Sequence, residues 1–182
     1  LTQQTKEFLK NAGIATQGDY EKNHYRVTPM GTLKSTWLTL ENLLISENEK
    51  CLPIRHPGIF NVTGFLDFYT QFITDEFLKL GTKCSIHSVN FPALENLRKN
   101  PTEMRSVNIA RIFDKQENIQ ELVQILKAES EDCDSIILPA ITGLNREDVV
   151  GYLRKEIDKP IYLLPTLPPS VPGIHTQQKL RS

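Results

Sequence analysis

The chain has 182 residues, 39 % of them hydrophobic, and its 21 basic and 22 acidic residues leave a formal charge of −1. That is enough apolar material for one sizeable core. The charges are spread along the chain with no basic block to track a phosphate backbone, which argues against non-specific binding of nucleic acid. No apolar run approaches the roughly 20 residues of a membrane span, and the polar start over Leu1–Gly18 is unlike a secretory leader.

The chain starts at Leu1 rather than Met, and Lys179-Leu180-Arg181-Ser182 stops inside a helix-like stretch. Both ends are therefore expected to be internal to a longer polypeptide. Phe8, Leu9 and Ala12 recur at helical spacing before Gly13, a natural C-terminal cap. His24–Pro29 and Thr32–Thr39 are β-branched and aromatic runs joined through Met30-Gly31, which predicts a hairpin. Glu41–Lys50 is polar and reads as a loop or a frayed turn.

The rhythm then changes. Ile59–Gly64 is a short apolar run between turn residues, hence a strand. Phe68, Tyr69, Phe72, Ile73, Phe77 and Leu80 mark an amphipathic helix ended by Gly81. Lys83–Phe91 alternates as a strand, and Pro101 opens a helix expected to run to about Phe113. Ile119, Leu122, Val123 and Leu126 give a helix, Asp134–Ala140 a strand, Val149 to Ile157 a helix, and Pro160–Leu164 a strand. Strands alternating with helices predict an α/β fold: a mainly parallel sheet with helices on both faces, plus the N-terminal helix and β-hairpin. The expected organisation is an N-terminal segment over 1–50, an α/β middle, cap-like domain over 51–170, and the start of a helix over 171–182.

Three stretches concentrate candidate chemistry. Arg26 and Lys34 could hold a phosphate or carboxylate, with Thr28, Thr32, Ser35 and Thr36 supplying hydrogen bonds; the plainer reading is a hairpin whose threonines serve β-propensity. In Met104–Phe113 apolar residues occupy most of the circumference, yet Arg105, Asn108 and Arg111 recur every third position. Such a helix is expected to be buried on more than one side, its polar groups paired with a carboxylate such as Glu103 or Asp114 or facing a cavity. Thr166 follows a strand into a proline-stiffened turn, where ligand contacts gather in open α/β sheets. Asn61-Val62-Thr63-Gly64 is a strand-to-helix turn without the spacing of Gly-x-Gly-x-x-Gly or of the phosphate loop. Cys51, Cys84 and Cys133 form no Cys-x-x-Cys pair and read as reduced thiols serving as small buried hydrophobes. The four histidines show no metal-ligand spacing, and no Ser/His/Asp or Cys/His constellation stands out.

Three longer strings carry a resemblance. Arg26–Trp37 (RVTPMGTLKSTW), Ser106–Arg111 (SVNIAR) and Leu163–Val171 (LLPTLPPSV) resemble, in that order, stretches of the family of B subunits of anaerobic glycerol-3-phosphate dehydrogenase. The strand–helix pattern between them is similar too, so the resemblance covers nearly the whole chain. It implies a flavoprotein whose flavin-binding segments flank a middle region, of which this chain would be the middle. It implies FMN as the cofactor of the full-length protein, none being expected on this chain alone, and a partner dehydrogenase subunit that holds FAD. It also implies an iron–sulfur subunit that anchors the complex at the cytoplasmic face of the bacterial inner membrane. The implied reaction converts sn-glycerol 3-phosphate to glycerone phosphate and sends electrons to a quinone, with this chain inactive by itself. The alternative is a docking domain that holds the partner subunits and touches neither substrate nor flavin. No catalytic residue follows from the resemblance. The candidates Arg26, Thr28, Thr32, Ser35, Asn108, Arg111 and Thr166 rest on their own chemistry.

Overall fold

The structure is a computed structural model that describes residues 2–181. Helix α1 (Thr2–Asn11) ends where Gly13 takes φ +72°, a left-handed turn that a side chain resists. Strand β1 (Thr16–Gln17) pairs antiparallel with β4 (Thr39–Leu40). Between them lies the expected hairpin, β2 (His24–Val27) and β3 (Leu33–Thr36). Its tip needs glycine twice over. Gly31 has φ +85°, and a Cβ there would lie 2.7 Å from the Cα of Ile73, so a side chain would push the tip away from the helix beneath it.

The polar stretch expected as a loop does more than connect. It supplies β5 (Ile45–Ser46), which pairs with β2 and makes a three-stranded sheet in the order β3-β2-β5. Just before it, Asn42–Leu44 runs along the edge of the last parallel strand. Its pairing uses backbone groups alone, which side-chain polarity cannot reveal.

The second half is strand β6 (Pro57–Val62), helix α2 (Thr70–Lys79), strand β7 (Ser85–Val89) and the short helices α3 (Glu95–Arg98) and α4 (Ser106–Ile112). Helix α5 (Gln116–Glu129), strand β8 (Ser135–Pro139), helix α6 (Val149–Ile157), strand β9 (Ile161–Leu164) and helix α7 (Val171–Arg181) complete it. The four strands pair in parallel in the order β7-β6-β8-β9. The direction of winding reverses after β7, when the chain crosses back over β6 to form β8. Right-handed crossovers therefore put α2 on one face and α5 and α6 on the other. The α/β architecture read from the sequence is the one observed.

One helix is shorter than expected. Pro101–Glu103 forms a tight 3₁₀ turn, and α4 begins only at Ser106. Arg105 between them is extended at φ −107° and ψ 150°. The break lets Met104 enter the core while the Arg105 guanidinium reaches the Asp67 carboxylate at 3.0 Å.

The core runs through both sheets: Val27 and Leu44 from the antiparallel part join Phe60, Phe77, Ile109, Leu126, Ile137 and Leu163. Phe91 and Phe113 meet edge-to-face at 5.4 Å, both fully buried. His24 is also buried, with Nε2 2.7 Å from the Thr39 hydroxyl. Cys133 is buried and Cys84 half-buried, but Cys51 is exposed, contrary to its expected role as a buried hydrophobe; all three are free thiols. Burial, helped by the nearby charge of Asp134, pushes the Cys84 thiol up to about 12, so it is inert at neutral pH.

Two outcomes follow from this packing. Phe113→Ala should lower unfolding stability by about 3–5 kcal/mol in urea titration, because it removes both the buried area and the ring pair. Burial lowers the pKa of His24, with Glu47 opposing only in part. The unfolded chain therefore takes up a proton that the folded one refuses as pH drops below about 6.5, the ordinary histidine value. Stability present above that pH should fall on acidification until the folded-state value is passed. Denaturation midpoints between pH 7.5 and 5.5 should slope less in His24→Gln than in the wild type.

Candidate functional site

Parallel strands deliver their connecting loops to the end of the sheet at which they finish. In open α/β sheets ligands sit there, near the point where strand order reverses. Here β6, β8 and β9 are neighbours, and each brings a buried oxygen without a hydrogen-bond partner to that end: Asn61 Oδ1, Thr142 Oγ1 and Thr166 Oγ1. A buried oxygen left unpaired costs about 1–3 kcal/mol. Three of the five such atoms among the described residues lie on adjacent strands here, which makes this end the candidate place for a polar guest.

Beside it lies a cleft of about 310 Å³ between the Leu40–Leu43 segment, the connection from β8 to α6, and the start of α7. Thr142, Arg146, Asp148, Val149 and His175 are among its walls. The segment is held by main chain: the Leu163 N–H donates to Asn42 at 2.8 Å and the Leu44 N–H to Leu163 at 3.1 Å. The Arg154 guanidinium on α6 clips the same place, donating to the Ile161 carbonyl and to Asn42 Oδ1, each at 3.0 Å. Arg146 is half-buried and has neither hydrogen bond nor ion pair among the described residues. Glu147, by contrast, is paired with Lys179, whose hydrogen bond and charge hold its carboxyl below the usual range.

The structure scatters the residues singled out in the sequence. Arg26 and Lys34 face each other across the hairpin, neither with an ion partner among the described residues. The hydroxyls of Thr28 and Thr32 bond to each other at 2.7 Å and close the turn, and Ser35 is exposed opposite Tyr25. None of these lines the cleft. The polar row of α4 bonds within itself and to the turn before it. Arg111 is exposed and donates to Asn108 Oδ1 at 3.3 Å, while Asn108 donates to the Glu103 carbonyl at 3.0 Å. The helix packs Ile109 and Ile112 into the main core and Val107 and Ala110 against Leu144 and Val171, so it is covered on more than one side, and Arg111 is left at the surface with Asn108 half-buried beside it. Arg105 pairs with Asp67, not with Glu103 or Asp114. Of the candidates, Thr166 is the one that follows directly on the carboxyl end of a parallel strand.

Sequence reasoning missed Asn61, Thr142, Arg146 and His175. The first two had a usable signal, since each sits where a recognised strand finishes. Arg146 and His175 had none, because only the folded chain brings α7 against the loop before α6. A second cluster also went unseen: Ser85 Oγ lies 3.0 Å from His87 Nε2 and 3.3 Å from Cys133 Sγ, with Glu129 3.8 Å from His87 Nδ1. It stands at the amino ends of β7 and β8, opposite the cleft, and His87 stacks on Phe60 at 4.5 Å. That stacking makes it part of the packing. Among the described residues no group of three or more His, Cys, Asp or Glu is placed to hold a metal ion, and no helix is long and apolar enough to cross a membrane.

Because Arg111 is exposed while Asn108 is half-buried and bonded to the Glu103 carbonyl, Arg111→Ala should change unfolding stability by no more than about 0.5 kcal/mol, and Asn108→Ala should lower it by about 0.5–1.5 kcal/mol. A loss of 2 kcal/mol or more (roughly that of a buried hydrogen bond) in urea titration would show the row to be buried after all.

Over residues 2–182 the chain matches the family described as FAD binding domain. It is 39 % identical over 179 residues to the B subunit of the anaerobic glycerol-3-phosphate dehydrogenase of Yersinia enterocolitica, covering 98 % of this chain and 42 % of that protein. The proteins of the same name in Yersinia pestis and Pectobacterium carotovorum are 38 % and 37 % identical, with 100 % and 99 % of this chain and 43 % of each relative covered. The chain thus spans less than half the length of these relatives. No solved structure matches. The family description names FAD, where the resemblance implied FMN; the flavin class is common to both. Among the described residues the turn after β6 does not form a dinucleotide cradle. Gly64 ends the β6 turn at φ +89°, but a Cβ there would meet nothing nearer than 3.7 Å, so no close backbone approach is prepared, and α2 starts only at Thr70. The match across residues 2–182, with the parallel α/β sheet beneath it, makes this chain a member of the FAD-binding-domain family.

Proposed function

We propose that this chain is the middle, cap-like domain of the B subunit of an anaerobic glycerol-3-phosphate dehydrogenase. Identity of 38–39 % sustained over 98–100 % of this chain to proteins of that name carries the reading. In it, sn-glycerol 3-phosphate loses two electrons and two protons to become glycerone phosphate, and the electrons pass through flavin to a quinone. FAD, the flavin of the family description, is held by parts of the polypeptide outside this chain, a reading supported by the lack of a Gly-x-Gly-x-x-Gly turn after β6. A partner dehydrogenase subunit with its own FAD and an iron–sulfur subunit complete the assembly at the cytoplasmic face of the inner membrane. This chain contributes the polar strand ends, Thr166 among them, to the wall above the reacting groups.

A docking role is the second reading. Exposed apolar side chains favour it: Phe8 on α1, Leu66 before α2, and Phe72 and Leu78 on α2.

The test uses the full-length protein assembled with its partners. The complex should reduce a quinone analogue only when given sn-glycerol 3-phosphate, and should carry bound FAD; a complex silent with that substrate defeats the reading. Thr166→Val should lower turnover roughly tenfold, the loss of one hydrogen bond to the reacting groups, while the partners co-purify as before. Full turnover in Thr166→Val, together with loss of a partner in Phe72→Ser, favours docking.

A further inference from the structure

The parallel sheet has two edges, and the molecule treats them differently. Asn42–Leu44 covers the β9 edge through main-chain bonds to Leu163. The β7 edge is bare. Strand β7 pairs with β6 along Ser85–Val89 and stands last in the order β7-β6-β8-β9. The Thr63 N–H donates to the Val89 carbonyl at 2.9 Å, which fixes how the strand is turned. In an extended strand the N–H and C=O of one residue point to the same side, and those of its neighbours to the other. Ser85, His87 and Val89 therefore turn theirs toward β6, while Ile86 and Ser88 aim theirs outward. Among the described residues none of these outward groups has a partner. Ile86 and Ser88 are also the two exposed residues of the strand.

We propose that this edge takes up an extended segment of the same polypeptide, from outside residues 1–182, as a further strand of the sheet. Proteins that leave a strand edge in water guard it with lysine, proline or a bulge. Ser85-Ile86-His87-Ser88-Val89 has neither lysine nor proline, and its pairing with β6 runs without a bulge. Ile86 stands 43 % exposed on it. An added strand satisfies the outward main-chain groups of Ile86 and Ser88 and covers the Ile86 side chain.

Size decides the occupant. A stable contact between separate proteins buries roughly 800 Å² on each partner, and an edge of five residues falls well short of that. A tethered segment needs no such area, because its tether holds it at high effective concentration. This chain matches 42 % of the Yersinia enterocolitica relative, so the greater part of a polypeptide of that size lies beyond it. The fitting segment carries β-branched or aromatic side chains at alternate positions, one of them opposite Ile86. The inference rests on reading this chain as part of a longer polypeptide, and not on the reaction.

The test uses the full-length protein in its complex, with hydrogen exchange read at single amides. The Ile86 and Ser88 N–H groups should exchange roughly a hundredfold or more slower than in an unstructured peptide. Protection is measured on the unaltered protein, so it does not depend on a variant that folds. A photoreactive p-benzoylphenylalanine in place of Ile86 then identifies the occupant by mass spectrometry. It should cross-link within one chain to a peptide outside residues 1–182. Exchange at the unstructured rate overturns the proposal. So does a cross-link confined to residues 1–182, or one that joins two chains on a denaturing gel. Protection and the expected cross-link in a complex that does not turn over sn-glycerol 3-phosphate defeat the dehydrogenase reading and leave this one standing.

Discussion

A parallel sheet presents an open edge wherever its last strand has no neighbour, and this molecule covers that edge with its own N-terminal segment. The main-chain bonds from Leu163 to Asn42 and from Leu44 to Leu163 extend the sheet beyond β9. Gln17 Nε2 ties the segment from the other side, donating to the carbonyls of Leu40 and Leu43. Arg154 adds its fork from α6. Once that clasp is made, Val27 and Leu44 are committed to the common core. The hairpin tip then rests on α2 through Gly31, where there is no room for a side chain.

The same clasp creates the cleft. Leu40–Leu43 forms one wall because its backbone is pinned to β9; the loop entering α6 forms another because β8 ends beside it. Loosening Asn42 from Leu163 opens the sheet edge and removes a wall of the site together. The unpaired oxygens of Asn61, Thr142 and Thr166 gather at that end of the sheet, while at the amino end Ser130 Oγ is the unpaired oxygen among the described residues and the other groups there are bonded. Asp134 illustrates the closure: burial raises its pKa, but the N–H groups of His56 and Arg55 and the Ser135 hydroxyl more than offset that and hold the carboxylate charged.

Much of the chain's fate was legible in the residues. The alternation of apolar runs and helical periodicity from Ile59 to Leu164 specified a parallel α/β sheet, because only crossovers of that length return a strand in the same direction. The compositionally odd strings at Arg26–Trp37, Ser106–Arg111 and Leu163–Val171 pointed to the family that the comparison over residues 2–182 bears out in its flavin character. Of the candidate site, Thr166 was visible because a strand's end is a recognisable place. The burial of α4 on more than one side was legible too, because apolar residues occupy most of its circumference, and they meet two separate clusters.

What the sequence determined by itself was local: which segments extend, which coil, and where glycine must turn the chain, since those choices depend on neighbours within a few residues. Tertiary structure alone decided which strand ends adjoin, that the polar stretch before β5 would seal the sheet, and that Arg146 would face α7 and the Leu40–Leu43 wall without a counter-ion. Those outcomes rest on main-chain pairing and on contacts between residues more than a hundred positions apart, as between Asn42 and Arg154. Neither leaves a pattern in side-chain order.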